Sequence, residues 1–416
     1  MGEFDFEIEA PKNWTPSEEM IKVIGVGGGG CNAVTYMFNQ NVQGCSFVVC
    51  NTDSQALQKS NVPVKIQMGT GLGAGTDPTT GRNAALEAQD AIRNIVLTSK
   101  TKMLFVTAGM GGGTGTGAAP VIAKMAKEAG ILTVGVVTLP FETEGNGALT
   151  KAIDGVLEME KNVDSLVVIN NEKLYDHYGD QLIHDAFPKA DEVLTTAVRG
   201  IVEIIQKPGF VNVDFKDVST MMKNSGCALM GCGIGSGPDR IDQAVQQALE
   251  SPLLNDYNLH EAKNVLINIT TGKSDQGLTM NDLKVIGEKI KAYTGNANAF
   301  KRGLIYDENP ETGDKVSITA IVTGLKFVDI TKGIDTGNII FIDENYTFSK
   351  ASLASSEGIT LGDSQESKIT GIGFTQTPMH KEFHFEKKPL LLVGEDDSLA
   401  ALENEPAIRR RPITTE

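Results

Sequence analysis

The run Gly109-Met110-Gly111-Gly112-Gly113-Thr114-Gly115-Thr116-Gly117 constrains this chain more than any other stretch. Met103-Leu104-Phe105-Val106-Thr107 precedes it and reads as a buried strand, and Ala118 to Ala126 follows it and reads as a helix. A glycine loop passing from strand to helix leaves backbone N–H groups open at the helix start, where the dipole also favours negative charge. The Thr114 and Thr116 hydroxyls add side-chain donors. This is the geometry of a phosphate site. A flexible linker is also glycine-rich, but linkers are not usually framed by an apolar strand and an amphipathic helix.

Two further glycine segments lie upstream. Ile21 to Val34 reads as strand, glycine turn and helix, and Gly25, Gly27 and Gly30 satisfy G-x-G-x-x-G. The strand Cys45 to Cys50 then ends at Asn51-Thr52-Asp53. An acidic residue about 20 positions past the glycines is what a dinucleotide-binding fold places on a ribose, so this pair alone supports a nicotinamide-dependent oxidoreductase equally well. The segment Gly69 to Pro78 adds a third glycine turn, followed by a helical pattern from Gly81 to Leu97. Three such turns exceed what one dinucleotide needs. They would line one crevice at the carboxyl ends of parallel strands.

Ile131 to Leu139 and Ser165 to Asn170 read as further buried strands, with a helix from Leu149 to Asn162 between them. Glu144, in the intervening loop, suits either a ribose hydroxyl or plain solvation. Strand and helix alternate throughout 21–170, which predicts an α/β fold with a parallel sheet covered on both faces. The apolar stripe of Asp191 to Gln206 is too wide for a surface helix, which predicts burial between two domains. Asn212, Asp214 and Asp217 follow on a short polar edge. They suit the orientation of water or a hydrated cation, or helix capping by Asp217; spacing leaves both open. Residues 226–330 change to a smaller α+β pattern without a catalytic motif. Residues 331–400 have the composition of a disordered linker. The end, Glu405 to Pro412, carries Arg409-Arg410-Arg411 and reads as a partner-binding peptide.

The 416 residues carry a formal charge of −16, which disfavours general nucleic-acid binding. The five cysteines contain no C-x-x-C pair, so no zinc pattern is predicted and reduced thiols in the cytoplasm are expected. No stretch approaches the roughly 20 apolar residues of a membrane span, so no direct membrane insertion is expected.

Gly111 to Gly117 (GGGTGTG) is identical to the signature of the tubulin/FtsZ superfamily, and the rest of the series follows in family order: Ile21 to Val34, Asn51-Thr52-Asp53, Gly71 to Gly75, Thr107 to Pro120 and Asn212 to Asp217. The chain therefore resembles that superfamily over about residues 20–325 and at its C-terminal peptide. The resemblance implies a Rossmann-like GTPase domain at 21–190 after a flexible arm at 1–20. It implies a central helix and catalytic loop at 191–217 and an α+β domain at 218–328. A flexible linker at 329–402 and a tail peptide at 403–416 complete the division. It implies GTP/GDP as ligand with Mg²⁺. Gly28, Gly29 and Asn32 would contact nucleotide, Ala74 and Gly75 the terminal phosphate, and Gly111, Gly112, Gly113, Thr114, Gly115 and Thr116 the phosphate chain. Thr138 would line the crevice, Glu144 the ribose, and Asn171, Phe187 and Asp191 the guanine, although Phe187 alone reads as a core aromatic. Asn212, Asp214 and Asp217 would complete the site of the next subunit in a head-to-tail homopolymer at the midcell division site. The tail would bind an FtsA-like membrane adaptor and division regulators.

Three features depart from the family pattern. Ala148 stands where a basic residue is usual, the segment before Gly71 is shorter than usual, and the tract from Tyr175 to Phe187 is slightly shortened, which leaves Asn170 and Asn171 both open for guanine. Ala148 and the shortened loop leave a GTP-binding scaffold without turnover as an alternative; the intact Asn212, Asp214 and Asp217 set opposes it.

Overall fold

The computed structural model describes residues 19–206, 209–211, 213–250, 259–273, 277–307, 313–325, 340–342, 347–350 and 383–384. The first unit, Met1–Ile330, opens with β1 (Ile21–Val26), α1 (Gly27–Asn39), β2 (Ser46–Asn51), α2 (Ser54–Lys59), β3 (Lys65–Gln67), α3 (Pro78–Glu87) and α4 (Gln89–Val96). It continues with β4 (Met103–Gly109), α5 (Thr114–Glu128), β5 (Leu132–Leu139), α6 (Asn146–Asn162), β6 (Ser165–Asn170), α7 (Glu172–Tyr178) and α8 (Ile183–Gln206). Next come α9 (Phe215–Met222), β7 (Gly226–Gly235), α10 (Arg240–Leu249), β8 (Asn264–Gly272), α11 (Met280–Thr294), β9 (Ala299–Asp307) and β10 (Val316–Leu325).

These strands form one sheet in the order β3-β2-β1-β4-β5-β6-β7-β10-β8-β9. It is parallel from β3 to β7, and β10 then runs antiparallel to both β7 and β8. Every residue of β1 and β5 is buried, as is β4 up to its last glycine. Strands buried on both faces need continuous apolar runs, and that is why these elements stand out in the sequence.

α8 packs its Leu194, Val198, Ile201, Val202 and Ile204 into one cluster with Phe105 of β4, Met230 of β7, Leu266 of β8 and Ile321 of β10. It is buried among strands from both halves of the sheet, as its wide apolar stripe predicts. It begins at Ile183 rather than Asp191, running through Pro188. The helix expected over 81–97 is instead two, broken at Ala88 (ψ 9°). The second unit, Thr331–Glu416, has β11 (Ile340–Ile342), β12 (Thr347–Lys350) and β13 (Phe383–His384) as an antiparallel trio within the stretch read as linker. The N-terminal arm up to residue 18 and the tail peptide at 403–416 lie outside the described residues.

Candidate functional site

Two helices begin side by side at the carboxyl ends of adjacent strands. β1 enters α1 directly at Gly27 (φ +73°), so the expected glycine turn is the first turn of the helix itself. β4 reaches α5 through Gly109 to Gly113. A Cβ on Gly27 would stand 2.8 Å from the Gly115 nitrogen, and one on Gly29 would stand 3.3 Å from the Gly109 Cα. Glycine therefore lets the two helix starts meet backbone to backbone. Neither helix has a side-chain cap. The first four N–H groups of each lack an intrahelical acceptor, and both dipoles present their positive ends to the same place. Gly28, Gly29 and Asn32 are exposed at this end of α1. A Cβ on Gly28 or Gly112 would meet nothing within 4 Å, so the space before both helices is open.

The third glycine segment closes the cradle from the side. A Cβ on Gly113 would come within 2.8 Å of Ala74 Cβ and of the Asp77 nitrogen. Asp77 caps α3 by accepting from the N–H groups of Thr79 and Thr80, both at 3.0 Å. Gly75 (φ +55°) is exposed beside it. The threonine hydroxyls work differently from expectation. Thr114 Oγ1 lies 2.6 Å from Thr52 Oγ1, and Thr116 Oγ1 accepts from the Gly111 N–H at 3.0 Å. They brace the loop, and the uncapped N–H groups at the starts of α1 and α5 are the donors left for a ligand. Thr52 is a residue the sequence alone did not single out for this role.

Asp53 caps α2 by accepting from Gln55 N (2.8 Å) and Ala56 N (3.2 Å). The carboxylate that a dinucleotide reading assigns to a ribose is thus engaged locally. Thr138, at the end of β5, pairs with Gly109 in register, and its carbonyl accepts from Met110 N at 2.9 Å. Glu144 is exposed in a single 3₁₀ turn, where its Oε1 accepts from Phe141 N at 3.0 Å.

The two candidate asparagines separate cleanly. Asn170 Oδ1 accepts from Glu172 N at 3.0 Å, whereas Asn171 Oδ1 is buried without a partner. A buried acceptor left unpaired costs about 1–3 kcal/mol, which a ligand donor would offset. Burial pushes the Asp191 carboxyl up to about 6. Phe187 lies one turn earlier on α8, with its side chain outside the described residues.

Asn212 lies outside the described residues. Asp214, not Asp217, caps the following helix, which starts at Phe215: Asp214 Oδ1 accepts from Asp217 N at 2.8 Å. Asp217 instead pairs with Lys301 of β9 at 2.8 Å, and this carboxylate pushes the lysine's pKa up. Lys301 carries no sequence signal, because its partner is brought to it only by the fold. Between β4 and β9 lie six strand steps. At about 4.8 Å each, that is on the order of 29 Å across the sheet. The glycine loops thus come together as one cradle, and the acidic pair stands apart from it. Among the described residues, no group of three or more His, Cys, Asp or Glu could hold a metal ion, and no helix is long and apolar enough to cross a membrane.

A parallel sheet whose glycine turns gather two uncapped helix starts has the geometry of a phosphate-binding α/β protein. Residues 20–179 match the model of the Tubulin/FtsZ family GTPase domain, and residues 226–326 that of the FtsZ family C-terminal domain. The cell division protein FtsZ of Porphyromonas gingivalis is 43% identical over 408 residues, covering 95% of this chain and 86% of that protein. The FtsZ of Coxiella burnetii is 46% identical over 316 residues, covering 75% and 80%. Among solved structures, an empty FtsZ dimer from M. jannaschii aligns with a TM-score of 0.66 at 38% identity, covering 74% of this chain and 88% of that one. CetZ2 from Haloferax volcanii (18% identity, TM-score 0.62, covering 74% and 93%) shares the fold alone. The chain belongs to the FtsZ family and carries its GTPase domain.

Proposed function

We propose that this chain binds GTP in the glycine cradle, polymerises head to tail, and hydrolyses GTP at the junction between subunits. By its relatives' names it serves bacterial cell division, and we place its filaments in the cytokinetic ring at midcell, in the cytoplasm. The observation that carries this reading is the separation of the cradle from the acids. Around the glycine loops, among the described residues, Asp53 and Asp77 cap helices and Glu144 accepts from Phe141 N. Asp214 and Asp217 stand on the order of 29 Å away across the sheet. Joining cradle to acids requires a second copy, and a head-to-tail contact supplies one at every junction.

In this reading the N–H groups of α1 and α5 hold the phosphates, with Gly28, Gly29, Asn32, Ala74, Gly75 and Gly111 to Thr116 around them. Thr138 and Glu144 line the ribose side. Asn171 and Asp191 read the guanine edge, and Phe187 stacks on its ring. The residues fit such a ligand: the Asn171 amide oxygen is buried without a donor, and two glycines open onto empty space. Mg²⁺ arriving with the nucleotide would offset the phosphate charge. From the neighbouring subunit, Asp214 and Asp217, with Asn212, orient the attacking water and accept its proton. The Lys301 contact holds Asp217 in place for that task, and the capping bond fixes Asp214. Residues 21–190 form the GTP-binding domain, 191–217 the helix and loop that set the spacing, and 218–328 the support for the acids. The linker at 329–402 carries the peptide Glu405–Pro412 to an FtsA-like membrane adaptor and to regulators.

The test is GTP turnover measured over a dilution series. Specific activity should rise with protein concentration and collapse below a threshold. Constant specific activity at every concentration overturns the shared site.

A further inference from the structure

Three glycine segments build the cradle, yet 25–32, 69–77 and 107–117 contain no lysine or arginine. Nor does 138–150, which leads from the crevice into α6. Backbone dipoles alone would then face a polyphosphate, on a chain whose formal charge is −16. The first cation along this path is Lys151.

Its position is specific. The first turn of α6 lies against the glycine loop: a Cβ on Gly111 would stand 3.1 Å from the Ala148 carbonyl oxygen. Further along α6, a Cβ on Gly155 would stand 2.6 Å from Thr116 Cγ2. Lys151 lies between these two contacts, one turn after Ala148 and on the same face. Its Nζ donates to the Thr76 carbonyl at 2.8 Å. Thr76 follows the exposed Gly75 and itself has φ +63°, a conformation that a threonine rarely adopts and that needs support from outside the loop. One ammonium therefore bridges the segment at 69–77 to the helix that lies along the 109–117 loop. It has three donors and spends one on Thr76.

We propose that Lys151 is the side-chain cation of the phosphate cradle: anchored on the Thr76 carbonyl, it turns its remaining donors to the terminal phosphate of bound GTP. This rests on the GTP reading above. The side chain also compensates for Ala148, where the family pattern has a basic residue. Because only GTP carries the terminal phosphate, the lysine discriminates GTP from GDP as well as adding affinity.

The experiment titrates the full-length protein with fluorescent GDP and with a fluorescent, non-hydrolysable GTP analogue. Lys151→Met should weaken the GTP analogue roughly tenfold, as expected for loss of one charge-assisted hydrogen bond, and GDP markedly less. Lys151→Arg should keep the preference. Adding Ala148→Arg to Lys151→Met should restore it, because the two positions share a helix face. Lys151 is partly exposed, so the variants should fold, and a thermal melt checks this. An unchanged ratio of GTP-analogue to GDP affinity in Lys151→Met overturns the proposal. A wild-type protein that binds neither nucleotide overturns the GTP reading instead.

Discussion

Asp191 is held by burial near a pKa of about 6, whereas an aspartate in an unfolded chain titrates near 3.9. Between those values the folded protein holds a proton that the unfolded chain has released. Stability therefore falls as pH rises from about 4 to about 6, and is level above. Nucleotide binding should reverse the preference. If Asp191 accepts guanine N–H groups, only the carboxylate can do so, and the ligand pulls its pKa down. Guanine-nucleotide affinity should thus be flat above pH 7 and decline below pH 6, by at most about tenfold per pH unit. Asp191→Asn should bind more weakly but without that decline. Fluorescent GDP titrations from pH 5 to 8 measure both, and parallel profiles for the two proteins would remove Asp191 from the guanine contact. Asn171 shows the same logic from the other side. Spacing left it level with Asn170, and only the hydrogen bonds separate them: one oxygen caps α7, and the other is buried with no donor.

At the scale of elements, the glycines fall into two kinds that sequence cannot tell apart. Some let helices approach one another. A Cβ on Gly81 would run into the Gly113 carbonyl oxygen, and one on Gly117 into that of Pro78, so α3 and α5 would have to part. Others, Gly28 and Gly112, face open space. Alanine at Gly81 or Gly117 should destabilise the protein by about 1–3 kcal/mol or more. Alanine at Gly28 or Gly112 should leave the melting temperature nearly unchanged while nucleotide affinity falls, since a bound phosphate is what the added methyl would meet. Equal losses of stability in both pairs would show that Gly28 and Gly112 are structural after all. The strands were legible because two-sided burial writes them as apolar runs: β1, β4, β5 and β6 fall close to where their residues predict. The break at Ala88 was not, because alanine favours helix and the turn there comes from tertiary packing. α8 was read short because Pro188 argues against the extra turns. Spacing leaves capping by Asp217 open, because both carboxylates suit a helix start; the Asp214 bond to Asp217 N assigns the cap, and Asp217 turns to Lys301 of β9 instead.

At the scale of the whole molecule, α8 lies between the proposed guanine residues and the acidic loop. Asp191 is the ninth residue of this helix, and 15 more follow toward the acidic loop, a rise of about 22 Å. Its apolar side chains are locked among strands from both halves of the sheet, so the helix acts as a rigid spacer. A rigid spacer of that length keeps a monomer from folding its own acids onto its own cradle, and this makes complementation between two damaged chains possible. Asp217→Ala should retain nucleotide binding and lose turnover. Its partner Lys301 is half exposed, so solvent screens the pair and losing it spares the fold. Gly112→Ala should keep its acids and lose the cradle. Each variant alone has no junction with both halves intact. Mixed, a cradle from the first meets the acids of the second wherever Asp217→Ala presents its nucleotide face to Gly112→Ala, so turnover should reappear and should peak at intermediate ratios. Phosphate release across a mixing series at constant total protein measures this. If every ratio stays as inactive as the separate variants while wild-type protein hydrolyses GTP, the site is not shared between subunits, and the acids would have to act within the chain that carries them.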